Sequence, residues 1–285
     1  MQGGVLTGAV ALALALAFAI DSGAAFDATQ YPDWKGQWLR AGSGQGAPWD
    51  PAKPWGPGQQ APLTPEYQAI FEANLRDQAA GGQGTDPSYR CIPVAMPRVM
   101  IAVQPMEIVI TPDTTYVMLE LFSTLRRIFT DGRDWPRAVE PSFAGYSIGQ
   151  WADTDGDGRY DTLVAETRAI KGPHSYDSSG IPFHDDGRAI IRERIYSDKA
   201  NPNILHNEIT SIDSALTRPW TVKRSYRRDG NNRRPIWSEY VCNEDNRHVR
   251  IGSENYVVSG DNLLMPVRKG QPPPDLKHFE QALQR

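Results

Sequence analysis

From Arg98 onward the chain breaks into short segments in which apolar and polar residues alternate with a period of two. They read MEIVI, TTYVMLELF, LRRIF, TLVAETRAI, RAIIRERIY, ILHNEITSID, PWTVKRSY and PIWSEYV, and are rich in Val, Ile, Tyr and Thr. Turn chemistry separates them, as in Thr111-Pro112-Asp113-Thr114, Thr130-Asp131-Gly132 and Asp229-Gly230-Asn231-Asn232. The gaps are too short for crossover helices, which argues against a parallel α/β sheet. The pattern predicts a mainly β protein, an antiparallel barrel or sandwich, with an irregular Pro-rich N-terminal arm and one or two short helices.

The chain begins differently. Val5–Ile20, VLTGAVALALALAFAI, is an apolar run too short for a comfortable membrane span, and Ser22-Gly23-Ala24-Ala25 supplies the small residues of a cleavage site. Residues 1–25 therefore read as a secretory signal peptide. No Lys or Arg precedes the run, so an uncleaved N-terminal anchor is the alternative. The expected location is outside the cytoplasm, periplasmic or extracellular, with no integral membrane segment once the leader is removed.

About 260 residues follow, enough for one large domain. YPDWKGQWLR, residues 31–40, predicts a first strand. Residues 42–65 hold six prolines together with Trp49 and Trp55. So many prolines exclude helix and central strand, and the indoles suit an extended arm laid across the body. Thr64-Pro65-Glu66 then opens a helix, with Thr as N-cap, Pro in the first turn and an acid at the positive end; Gly81-Gly82 stops it. Residues 26–97 thus supply strand, arm and helix packed on an antiparallel β domain of residues 98–285, the two forming one unit. A last short helix is expected in DLKHFEQAL.

Two cysteines, Cys91 and Cys242, in an exported chain predict a disulfide. The net charge of −4 gives no reason to expect nucleic acid as a partner. The run KRSYRRDGNNRR, Lys223–Arg234, is basic, but its period of two suits a solvated edge hairpin.

The stretch WADTDGDGRYDTLVAET, Trp151–Thr167, carries the most specific chemistry. Asp153, Asp155, Asp157 and Asp161 stand at relative positions 1, 3, 5 and 9, with Gly158 at 6. This is the ligand spacing of an EF-hand loop, with the Arg159 carbonyl as backbone ligand, and its hard oxygens point to Ca²⁺ as cofactor. Position 12 is Val164 instead of Glu, the upstream flank EPSFAGYSIGQW is broken by Pro141, Gly145 and Gly149, and the downstream TLVAET reads as strand, so this is no helix–loop–helix. The loop resembles the DxDGDGxxD calcium loops that join strands in integrin-type propeller blades. A structural staple is the expected role.

Gly145-Tyr146-Ser147-Ile148-Gly149 satisfies G-x-S-x-G, but the nucleophile elbow needs a helix after the serine, and the acidic loop leaves no room for one. The remaining catalytic candidates are Glu166, His184 and Glu193, since a carboxylate turned into an apolar barrel could act as acid or base. Glu193 and Arg127 could instead form an ion pair. Arg126, Arg127, Asp131 and Arg133 crowd one hairpin, and His174, His206, His248 and His278 show no ligand spacing.

RCIP with MPR, PMEIVITP, RRIFTDGR, GYSIGQW, DTLVAET, RERIY and TRPWTVKRSY, in this order, resemble a group of exported bacterial proteins of unknown function. The likeness spans most of residues 31–245 and implies no particular activity. Gly36-Gln37-Trp38 also resembles the G-x-W of lipocalins, whose Trp closes one barrel end, with a late basic residue such as Arg224 to pack on it. The leading expectation is a calcium-stabilised barrel that binds a small hydrophobic or aromatic ligand in its cavity. The alternatives are a hydrolase or isomerase using inward carboxylates, and a non-catalytic envelope protein.

Overall fold

Strand segments with one apolar face bury that face best when the sheet curls until its first and last strands meet. The computed structural model describes residues 26–42, 60–101, 103–230, 235–242 and 247–275. The signal-like segment, Trp49 and Trp55 of the arm, and the expected last helix after Asp275 lie outside the described residues. Nine strands form a closed barrel in sequence order: β1 (Gln37–Arg40), β2 (Met106–Ile110), β3 (Thr114–Leu119), β4 (Thr124–Phe129), β5 (Tyr146–Ala152), β6 (Thr162–Arg168), β7 (Ile190–Ser197), β8 (Ile204–Ile212) and β9 (Trp220–Arg228). β1 pairs with β2 and with β9, which completes the ring.

Three expectations need correction here. The barrel is mixed, because β4 and β5 run parallel through Ile128↔Ser147 and Phe129↔Ile148. Residues 130–145, with Gly132, Pro136 and Pro141, carry the chain back to the end it left, so β5 starts in the same direction as β4. The basic run on β9 is likewise not on an edge, since β8 and β1 flank it on both sides. PIWSEYV forms no strand. It is an extended strap outside the barrel, where the Ile236 carbonyl accepts from Gln37 Nε2 at 2.8 Å and Ser238 N donates to Glu120 Oε2 at 3.0 Å.

The helix matches its reading. Thr64 caps α1 (Pro65–Ala79) by accepting from Tyr67 N. Its inward contact is partly polar: Asn74 Oδ1 accepts from Thr85 N at 2.7 Å. The strap leads on to a small antiparallel sheet, β10 (His248–Ile251), β11 (Glu254–Val258) and β12 (Leu264–Pro266). Arg268, just past β12, ties this sheet to α1 by bridging Asp77 and Glu254.

Inside the barrel the alternate residues of each strand interdigitate. Ile128, Leu163, Ile191, Leu205 and Ile209 are all 0% exposed. A ligand-sized space would leave such side chains accessible to a probe of water size, so the expected cavity within the barrel is not present around these residues. Trp34 and Trp38 plug one end: Trp38 Nε1 donates to the Trp34 carbonyl at 2.9 Å, and Trp34 Nε1 to Ser197 Oγ at 2.8 Å. The guanidinium over the Trp38 ring belongs to Arg228, at 4.4 Å, not to Arg224. Register decides this: Trp38 pairs directly with Arg228, whereas Arg224 lies four residues further along the same inward face and is buried. Gly149 serves close packing: a Cβ there would meet Ile128 Cγ2 at 2.7 Å across the parallel pair.

Cys91 and Cys242 are bridged with their Cα atoms 5.5 Å apart, which fastens the end of the strap beside the 3-10 turn Pro87–Arg90. No helix among the described residues is long and apolar enough to cross a membrane. Alkylation of the folded or denatured protein without reductant should label neither cysteine, and labelling of both in denaturant would refute the bridge. Cys91→Ser with Cys242→Ser should cost up to about 5 kcal/mol in urea unfolding, the loop-entropy figure for a crosslink of this span.

Candidate functional site

β5 and β6 pair from Tyr146↔Arg168 to Ala152↔Thr162, so residues 153–161 form the loop of this hairpin. Asp153, Asp155 and Asp161 each turn a carboxylate oxygen to within 4.8 Å of the others, an exposed trio that could hold a metal ion. Gly156 and Gly158, at φ 78° and 85°, make the turn possible where an L side chain would be strained. Their N–H groups donate to the two oxygens of Asp153 at 2.7 and 2.8 Å. The Gly158 bond leads in holding the Asp153 carboxyl below its usual range. At Asp161 slight burial pushes the pKa up, but the Thr154 and Thr162 hydroxyls outweigh it and the net shift is downward. Lys199 Nζ stands 3.3 Å from Asp155 Oδ2. Of the four expected aspartates, three converge. Asp157 instead accepts from Arg159 N at 2.8 Å and is not one of the trio. All three donors are hard oxygens, a set that fits Ca²⁺ or Mg²⁺ and not the nitrogen and sulfur preference of zinc.

Two surface grooves flank the loop, and Tyr160 lines both. One, of about 670 Å³, is bounded by Tyr31, Trp151, Tyr160 and Val164, with Glu166 and Arg192 on its polar side. Tyr31 joins an aromatic cluster there, 5.0 Å from Tyr160 and 5.4 Å from Trp151 between ring centres. The other, of about 640 Å³, lies between the loop and the outer face of β7–β9. Its wall carries Arg194, Tyr196, Asp198, His206 and Lys223. Here His206 Nδ1 lies 2.8 Å from Ser225 Oγ, and His206 Nε2 lies 3.0 Å from Asp198 Oδ2. Sequence spacing does not reveal this group. His206 and Ser225 are cross-strand partners of β8 and β9, and only the pairing register brings them together.

The three catalytic candidates are not assembled. Glu166 points outward beside Val164 and is bracketed by Arg168 and Arg192, with Arg192 Nε 2.8 Å from its Oε2. Burial pushes its pKa up, but the hydrogen bonds from Arg192 and Arg168 outweigh that and hold the carboxyl below the usual range. His184 sits in the loop before β7, its Nδ1 accepting from Asp186 N at 3.2 Å. Glu193 alone turns inward, where Arg126 meets it in an ion pair with both side chains at most 1% exposed. Asn207 Nδ2 donates to its other oxygen at 2.8 Å. Arg126 also donates to Thr167 Oγ1 at 3.0 Å and to Ser147 Oγ at 3.4 Å. The serine of G-x-S-x-G is therefore a buried interior hydroxyl. The partner of Glu193 is Arg126 and not Arg127, because 126 and 128 share the inward face of β4 while Arg127 lies outside over Phe129.

These features define a closed, mixed nine-stranded barrel with an acidic loop and two outer grooves. Compared with known proteins, the chain matches no family model and no curated sequence.

Arg126→Met should destabilise the protein by about 3–5 kcal/mol, because it strands the Glu193 charge in the interior; adding Glu193→Leu should recover much of that loss in urea denaturation. The acid limb carries a separate expectation. A carboxyl with a depressed folded pKa contributes stability above its unfolded value, near 4.5 for Glu166, and that contribution disappears as pH falls through the folded value. Glu166→Gln should therefore flatten the pH dependence of the melting temperature below pH 5, with little effect on its shape near neutrality.

Proposed function

We propose that this is an exported, calcium-stabilised β-barrel that works by binding, with its ligand seat on the outer surface and not inside the barrel. The observation that carries the reading is the convergence of Asp153, Asp155 and Asp161 in a glycine-turned hairpin loop. Like charges so close repel, and a divalent cation would offset them. Asp157 and the Arg159 carbonyl are the further ligands proposed for Ca²⁺. The disulfide supports an oxidising, extracytoplasmic setting, as does the signal-like segment. The groove bounded by Tyr31, Trp151, Tyr160 and Val164 offers a small aromatic or apolar molecule aromatic edges and an exposed valine. The inward-carboxylate enzyme has less support: Glu193 is sealed behind the strands, and Glu166 is held by two guanidiniums. The filled interior would also suit a structural protein of the envelope, the second reading.

Calorimetry should detect one Ca²⁺ per chain. With free Ca²⁺ a hundredfold above its dissociation constant, stability should rise by about 2.7 kcal/mol through mass action alone. Mg²⁺ should shift the melting temperature less, and Asp155→Ala should remove the shift. Equal midpoints in Ca²⁺, Mg²⁺ and chelator, without calorimetric binding, would reduce the loop to an acidic turn.

A further inference from the structure

We propose that Ser225, His206 and Asp198 form an acyl-transfer relay, with Ser225 as the nucleophile, acting on small carboxylic esters from the groove beside β7–β9. The relay shares no residue with the acidic loop, although Asp155, Asp157 and Asp161 line the same groove.

The hydrogen bonds assign the roles. Asp198 opens the turn after β7, and its Oδ1 accepts from Ala200 N at 3.0 Å and Asn201 N at 2.9 Å. Those two bonds fix the carboxylate and aim Oδ2 at His206 Nε2. An ionised carboxylate only accepts, so Nε2 must carry the imidazole proton. In the neutral imidazole Nδ1 is then the bare nitrogen, and the Ser225 hydroxyl, 2.8 Å away, donates to it. A serine hydroxyl that donates to a neutral imidazole, itself oriented by a carboxylate, is the activated-nucleophile arrangement, recognised by geometry and role and not by order in the chain. A surface His–Ser contact alone would be an ordinary cross-strand pair. The pre-aimed Asp198 sets this one apart, together with the Tyr196 ring 5.2 Å from the imidazole. Ser225 is half-buried, and His206, to which it is hydrogen-bonded, lines the groove. Lys223, on the same face of β9 as Ser225, lines the groove and is the cation offered to a developing oxyanion, while Arg194 is paired with Glu208.

The step balances. Ser225 Oγ forms a bond to the ester carbonyl carbon as its proton passes to His206 Nδ1, and the carbonyl π pair moves onto oxygen. Collapse breaks the bond to the leaving oxygen, which takes the proton from His206 and departs as the alcohol. Water then attacks the acyl-serine by the same route, giving the carboxylic acid and restoring the hydroxyl.

The test exposes the full chain to a fluorophosphonate and reads intact mass. One adduct per chain is expected, located by peptide mapping to Ser225, and Ser225→Ala should take none. His206→Gln and Asp198→Asn should slow labelling, the former on the order of a hundredfold or more, the scale of general-base assistance. Far-UV circular dichroism and melting temperature identify folded variants. With 4-nitrophenyl acetate, folded wild type should release a burst of one nitrophenol per chain that Ser225→Ala lacks. No adduct on folded wild type, an adduct elsewhere, or labelling of folded His206→Gln at the wild-type rate would overturn the relay.

Discussion

Four residues close this molecule. β1 is the shortest strand of the barrel, yet it alone joins β2 to β9, and every other strand keeps its inward face dry because that gap is shut. Backbone hydrogen bonds over so few residues are a thin seal, and side chains thicken it. Trp38 stands inside and donates its indole N–H to the Trp34 carbonyl, Arg228 covers the ring, and Arg40 Nη1 reaches in to the Ile101 carbonyl at 2.8 Å. A large rigid indole at such a seam buries more apolar surface than any aliphatic residue of the same backbone length.

Much of this was legible in the chain. Period two marked β2–β4 and β6–β9, the Thr64-Pro65 signal marked α1, and the even cysteine count marked the bridge. What escaped depends on partners distant in sequence. Nothing local in PIWSEYV distinguishes a strand from a strap, since both are extended and rich in Ile, Val and aromatic residues; the outcome hung on whether the barrel had a free edge, and closure through β1 had used both. The parallel β4–β5 pair is set by the length and prolines of the connection, not by the strands. At the acidic loop, spacing located the carboxylates, but the rotation of Asp157 toward Arg159 N is a local competition that spacing does not encode. The Ser225–His206–Asp198 group required the register of β8 against β9, a quantity that one-dimensional patterning leaves open.

The interior is not uniformly apolar. Arg126, Glu193, Asn207, Thr167 and Ser147 form one polar cluster among aliphatic neighbours. A buried ion pair adds little net stability compared with well-packed hydrocarbon, but it tolerates no alternative register, because a slip of one residue would turn both charges onto the wrong face. The pair thus locks β4 and β7, which are not neighbours, across the barrel.

Closure through β1 also orders events in time. The chain is made from its N-terminus, so β1 emerges first, while its partner β9 emerges some 190 residues later, as Trp38 meets Arg228. Until then β1 has no edge to join except β2, over a two-pair ladder. The antiparallel run β5–β9 can assemble from local hairpins as it appears, whereas the ring waits on the most distant contact in the barrel. Such non-local closure makes folding slow relative to its stability and leaves Trp38 and its neighbours uncovered throughout that interval. The first strand made is the last to find its place.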